Sequence, residues 1–104
     1  MSEFSNVTVV REANVYFGGK VVSRTVRFAD GTRKTLGYML PGEYTFDTGA
    51  AEVMEVLGGE MVVLLPGQSE WQTFTAGQAY DVAANSSFSL KIGGDGADYC
   101  CSYA

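Results

Sequence analysis

No stretch of this chain keeps a helical period. Its apolar residues alternate with polar ones, and turn-forming residues break the pattern about every ten positions. Residues 21–28 read as a strand, Asp30-Gly31 as a hairpin turn and residues 33–40 as the returning strand. Pro41-Gly42 leads into a strand at 43–46, which Asp47-Thr48-Gly49 ends. Residues 52–57 and 60–65 form a hairpin around Gly58-Gly59, and 71–75, 78–83, 87–92 and 99–103 complete the set. About nine short strands in one small unit predict an all-β sandwich, jelly roll or barrel.

With 104 residues, the chain is expected to be a single domain with a modest core. Residues 1–13 read as an N-terminal arm that either frames a short strand or stays mobile, and 14–104 as the folded domain. No run approaches the roughly 20 apolar residues of a membrane span, and Met1-Ser2-Glu3-Phe4 does not open like a secretory signal, so a cytoplasmic setting is expected. The net charge of −5 argues against nucleic acid or an anionic membrane as partner. The charge is uneven: Arg11, Lys20, Arg24, Arg27, Arg33 and Lys34 all fall in the first 34 residues, and only Lys91 lies beyond them. A small anion the size of phosphate fits such a segment. The adjacent Cys100 and Cys101 point to opposite faces of a strand, so they are read as reduced structural thiols rather than a disulfide.

Three spacings carry a first resemblance. Gly37-x5-Glu43-x-Thr45 stands where a metal-binding cupin reads Gly-x5-His-x-His. Glu52-x6-Gly59 matches the tail of the same motif. Gly77-x5-Ala83-x-Asn85-x2-Phe88 stands where the second motif reads Gly-x5-Pro-x-Gly-x2-His. The chain thus resembles the cupins, which implies a single-domain jelly-roll barrel. It contains no histidine. Thr45 is a poor metal ligand and Phe88 is none, so no metal and no cofactor are expected.

Strand parity orients the candidate groups. Phe88 shares a face with Leu90 and Ile92 and should point into the barrel. If the cupin frame holds, Glu43 and Thr45 point inward, and Tyr44 and Phe46 point outward, where a second subunit would cover them. Arg24 shares parity with Val22 and Val26, and either snorkels or serves a purpose. Without histidine there is no Ser-His or Cys-His pair, and no phosphate-cradling Gly-x4-Gly-Lys-[Ser/Thr] loop is present. Carboxylate, hydroxyl and cation chemistry remains, with Glu43 and Glu52 as candidates for a general acid and an electrostatic stabiliser.

A second resemblance is more specific. Tyr16-Phe17-x-Gly19-Lys20-Val21, Gly42-Glu43-Tyr44-Thr45-Phe46, Leu64-Leu65-Pro66, Trp71-Gln72 and Ala76-Gly77 occur in this order. They resemble the short, single-cupin pyrimidine/purine nucleoside phosphorylases over almost the whole chain after Ala13. That resemblance implies a homodimeric, metal-free enzyme that cleaves nucleosides of broad specificity with phosphate, giving free base and ribose 1-phosphate. Under it, Lys20, Arg24 or Arg33 would hold phosphate. Glu43 would stabilise the electron-poor sugar, Thr45 would bind a ribose hydroxyl or phosphate oxygen, and Tyr80 and Phe88 would flank the base. The family pattern places arginine where this chain has Ser102, so the phosphate cation would have to come from elsewhere.

Two other readings stand beside it. One is a metal-free sugar-modifying cupin such as an epimerase or isomerase, which normally relies on a histidine base. The other is a non-catalytic small-molecule-binding cupin, which a pocket closed by Phe88 would favour.

Overall fold

The computed structural model describes residues 2–103; Met1 and Ala104, the ends of the expected arm and domain, lie outside the described residues. Among the described residues there are eleven strands and one 3₁₀ turn. They are β1 (Thr8–Val9), β2 (Asn14–Tyr16), β3 (Val21–Arg27), β4 (Arg33–Met39), β5 (Gly42–Asp47), β6 (Glu52–Gly58), β7 (Glu60–Leu64), β8 (Gln72–Thr75), β9 (Ala79–Val82), β10 (Ser87–Ile92) and β11 (Ala97–Tyr103), with the turn at Phe17–Gly19. The fold is all-β, as alternation and turn spacing predict. β1 is the short strand of two residues that the arm was expected either to frame or to lack, and β2, which alternation misses, is only three residues long.

The strands form two sheets. The larger runs β1-β3-β4-β11-β6-β9, with β2 also on β3; the smaller runs β5-β10-β7-β8. All the pairings are antiparallel. Val21, Met39, Met54 and Val56 of the larger sheet pack with Met61, Val63 and Leu90 of the smaller, all of them buried. Burying apolar area of this kind, at roughly 25 cal/mol per Å², is the main term holding two sheets face to face.

The expected N-terminal arm is tied down in part. β1 adds an edge strand to β3, and Phe4 meets the ring of Phe28 edge-on at 5.1 Å. Arg24 Nη1 donates to the Arg11 carbonyl at 3.0 Å, which anchors the arm to β3.

Two glycines of the cupin spacing have local explanations. Gly59 turns the β6–β7 hairpin at φ 74°, and a Cβ there would clash with the Gly96 carbonyl. Gly37 is required by space: a Cβ would meet the Tyr99 ring at 2.6 Å.

One expectation is corrected. Glu43 and Thr45 do not face the interior. Tyr44 is 3% exposed and packs in the core, while Glu43 and Thr45 lie on the outer face of the smaller sheet. The register explains why. Tyr44 pairs with Leu90 and Phe46 with Phe88, and directly opposed residues share a face. The apolar face of β10 therefore draws both rings inward. An exposed carboxylate also avoids the desolvation that an interior Glu43 would meet. With those rings inside, they leave no outward aromatic pair for a second subunit to cover.

Candidate functional site

Between the sheets lies a cavity of about 250 Å³. Its two sides differ in chemistry. The larger sheet supplies polar groups: Ser23 from β3, Arg33 and Thr35 from β4, Glu52 from β6, and Tyr99, Cys101 and Tyr103 from β11. The smaller sheet supplies the rings of Phe46 and Phe88 with the carboxylate of Asp47. Alternation puts these groups there. Glu52 shares a face with Met54 and Val56, and Tyr99, Cys101 and Tyr103 fall on every second position of β11.

Glu52 is the half-buried carboxylate of this cavity. Burial raises its pKa, against two opposing influences, a hydrogen bond from the Cys101 thiol and the field of Arg33. The Cys101 Sγ–Glu52 Oε1 distance is 3.4 Å, with the thiol as donor. Burial, reinforced by the Glu52 charge, pushes the Cys101 thiol up to about 12, so it stays a neutral donor at ordinary pH. Cys100, on the opposite face, is also free and buried.

Tyrosine hydroxyls complete the polar side. Tyr103 Oη and Thr35 Oγ1 are 3.1 Å apart, and burial raises the Tyr103 phenol well above its usual range. Burial also lifts Tyr99 to about 12, while a hydrogen bond with Ser23 works the other way. Both phenols remain protonated. The guanidinium of Arg33 lies 4.0 Å above the centroid of the Tyr103 ring. A ring face takes none of its N–H donors, which suits Arg33 to meeting an anion in the cavity.

The sequence-predicted residues fall into two groups. Glu52, Arg33 and Phe88 come together in the cavity. Glu43 and Thr45 lie outside on the smaller sheet: Glu43 pairs with Lys91, which lies over Trp71, and Thr45 Oγ1 sits 3.0 Å from Ser89 Oγ. Lys20 and Arg24 are exposed and do not line the cavity. Tyr80 is buried behind Phe88, its ring tilted against Phe74 at 4.7 Å and its hydroxyl donating to Met61 Sδ at 3.4 Å. It supports the wall and does not line it.

Sequence reasoning missed Thr35, Tyr99, Cys101 and Tyr103. The parity of β11 is the signal that finds three of them: a strand alternating Tyr, Cys and Tyr on its core-facing side places hydroxyls and a thiol in the interior. Among the described residues, no cluster of three His, Cys, Asp or Glu could hold a metal ion. No helix among them is long and apolar enough to cross a membrane.

Known proteins resemble this chain over its whole length. The family model for pyrimidine/purine nucleoside phosphorylase matches residues 11–103. A pyrimidine/purine nucleoside phosphorylase of Syntrophotalea carbinolica is 70% identical over 99% of this chain and 98% of its own. One from Geobacter sulfurreducens is 61% identical over the same shares. A crystal structure of a protein of unknown function from Acinetobacter sp. ADP1 superimposes with a TM-score of 0.94 at 42% identity, covering 98% of both chains. An RmlC-like cupin from Shewanella frigidimarina, 16% identical, shares the fold with a TM-score of 0.69 over 98% of this chain and 86% of its own. The fold is therefore that of a single-domain cupin, and the chain belongs to the pyrimidine/purine nucleoside phosphorylase family, a family of pentosyltransferases.

Proposed function

We propose that this chain cleaves purine and pyrimidine nucleosides with inorganic phosphate, without a metal, inside the cavity between its sheets. The observation that carries this reading is the cavity itself, which combines one cation, one half-buried carboxylate and an aromatic wall. These are the groups that the reaction calls for. A phosphate oxygen forms a bond to the sugar C1′. The bond from C1′ to the base nitrogen breaks, and its electron pair leaves with the base, which takes up a proton. The products are ribose 1-phosphate and free base.

In this reading Arg33 holds the phosphate through its N–H donors. Glu52 faces the sugar, where its negative charge favours the oxocarbenium character that develops as the base departs. The protonated hydroxyls of Tyr103, Thr35 and Tyr99 bind sugar or phosphate oxygens. Phe88 and Phe46 receive the base. An apolar ring wall discriminates little between planar bases, which favours broad specificity. Glu43, Thr45, Lys20 and Arg24 have no contact with this cavity and no part in the proposed chemistry. A homodimer and a cytoplasmic role in nucleoside salvage belong to the same proposal. They are supported by the family resemblance and, for the dimer, by the outward Tyr38, Val53 and Leu57 of the larger sheet.

The test is to incubate the purified protein with uridine, inosine and adenosine, with and without phosphate, and follow free base. Release that needs phosphate and survives exhaustive chelation supports the reading. Release without phosphate replaces it with hydrolysis, and activity lost to EDTA and restored by one divalent ion overturns metal independence.

A further inference from the structure

The cavity mouth is shaped by a strained segment. Phe17, Gly18 and Gly19 have successive positive φ angles of 52°, 65° and 97°. For Gly18 and Gly19 this conformation is ordinary; for a phenylalanine it is unfavourable by roughly 1–2 kcal/mol. The Phe17 ring shows what holds it there. It packs at 4.9 Å on Tyr44 and at 5.2 Å on Phe46, although nearly half of it is exposed. The preceding residue, Tyr16, has ordinary extended backbone and pairs in β2 with the buried Val21, so its ring is directed from the larger sheet toward the aromatic wall of the smaller one. There its ring stands 6.1 Å from Phe46, at 80° to it, and lines the cavity. Phe46 is in turn stacked on Phe88 at 5.8 Å and 26°.

Phe88 thus backs Phe46 in a stacked pair, and Tyr16 stands upright against Phe46. Tyr16 is 46% exposed, whereas Tyr99, another tyrosine of the cavity, is 5% exposed. An accessible ring that lines the cavity is placed to meet a ligand, and the strain at Phe17 is offset by packing that buttresses Phe46. A planar ring laid flat on Phe46 would meet Tyr16 edge-on. Both contacts are favourable for aromatic pairs, and neither asks for a given donor or acceptor on the ring's rim.

We propose that Tyr16 and Phe46 form the base-binding subsite, with Phe17 as the positioning residue that holds Phe46 in place. The identity of the planar ligand as a nucleobase rests on the phosphorylase reading. The subsite holds one face of the base on Phe46 and packs the Tyr16 ring against one edge without asking for a given donor or acceptor there, so one cavity accepts purines and pyrimidines. Purines, with the larger face, gain more from it.

The experiment compares the wild-type protein with Tyr16→Ala, Tyr16→Leu, Tyr16→Phe and Phe17→Ala, using Trp71→Ala as a control for loss of an exposed aromatic on the outer face. Inosine and uridine are titrated calorimetrically without phosphate, and KM and kcat are then measured with phosphate present. Loss of one edge-to-face aromatic contact should weaken inosine binding up to about tenfold in Tyr16→Ala and Tyr16→Leu, with KM rising more than kcat falls. Uridine should lose less. Tyr16→Phe should bind like wild type. Phe17→Ala should weaken binding while Trp71→Ala does not. Tyr16→Leu keeps apolar bulk at the site, so unchanged inosine binding in that variant overturns the subsite. So does a Tyr16→Phe variant as impaired as Tyr16→Ala, since the hydroxyl rather than the ring would then be responsible. A wild-type protein that binds inosine through Tyr16 but releases no base with phosphate supports the subsite and removes phosphorolysis alone.

Discussion

Tyr99 of β11 lies directly across from Gly37 of β4, and its ring covers the bare Cα so closely that a Cβ would sit 2.6 Å from the ring carbons. The glycine that opens the first cupin motif is therefore kept here by the tyrosine on the neighbouring strand. Its φ is not in the left-handed region, so space alone is at issue. Gly37→Ala should displace the Tyr99 ring into the cavity or force the two strands apart. Overpacking of this kind costs about 1–3 kcal/mol. Urea denaturation should show that loss, and the double variant Gly37→Ala/Tyr99→Leu should recover part of it. A Gly37→Ala protein as stable as wild type would show that the sheet opens here without strain.

Glu52 and Glu43 separate by location. Glu52→Gln keeps the shape and an acceptor for the Cys101 thiol but removes the charge facing the cavity. Turnover should fall on the order of 10²-fold, as for the loss of one preorganised electrostatic contact. Glu43→Gln, on the exposed outer face, should change stability by no more than about 0.5 kcal/mol and leave turnover near wild type. Measured side by side, the two rates decide between a site inside the cavity and one on the face of β5. Equal losses would place Glu43 in the chemistry after all.

The sign of the Glu52 shift sets a pH dependence. Its folded pKa is raised above the ordinary 4.5, so between 4.5 and the folded value the native state binds more protons than the unfolded one. The contribution of Glu52 to stability is then fully present below 4.5 and is lost as pH rises through the folded pKa. Glu52→Gln should therefore be more stable than wild type at neutral pH, and the advantage should vanish below about 4.5. Activity should run the opposite way, because in the proposed reaction the charged form of Glu52 is the working one. It should rise along an acid limb whose midpoint lies above 4.5. A thermal melting series across pH together with a kcat/KM profile checks both, and an advantage that grows on acidification would reverse the assignment.

The faces of β5 show where sequence reading runs out. Spacing alone places Glu43 and Thr45 at ligand positions of the cupin frame, and a frame of glycines fixes strand order better than strand facing. Cross-strand partners decide facing, and Phe46 opposite Phe88 settles it for β5. Phe88 itself was legible, because Leu90 and Ile92 share its parity. Of the basic residues in the first third of the chain, Arg33 reaches the cavity because it begins β4 next to the far end of β11, where Tyr103 receives it. That proximity is a long-range pairing that no local pattern announces. Thr35 escaped for the same reason: it is an ordinary strand residue until β4 and β11 are laid side by side.

Arg33 should carry the phosphate dependence, and its relation to Glu52 makes this testable in two ways. Arg33→Met keeps most of the side-chain volume but removes the cation. Losing a hydrogen-bonded charge pair with phosphate should raise the KM for phosphate roughly ten- to a hundredfold, with the nucleoside affinity in the absence of phosphate little changed. The same substitution removes one of the two influences that hold the Glu52 pKa down, so the acid limb of activity should move to higher pH. Arg33→Lys should fall between the two proteins, since a lysine retains the charge but loses the planar fork and its packing over Tyr103. Lys20→Met and Arg24→Met, which alter cations outside the cavity, should leave the phosphate KM within about twofold of wild type. A merely structural Arg33 would lower the melting temperature and leave both the phosphate KM and the acid limb where they were. A rise in phosphate KM without any movement of the acid limb would keep Arg33 as the phosphate ligand but detach it from Glu52. If Arg24→Met raises the phosphate KM and Arg33→Met does not, the phosphate site lies outside the cavity, at the junction of the arm with β3.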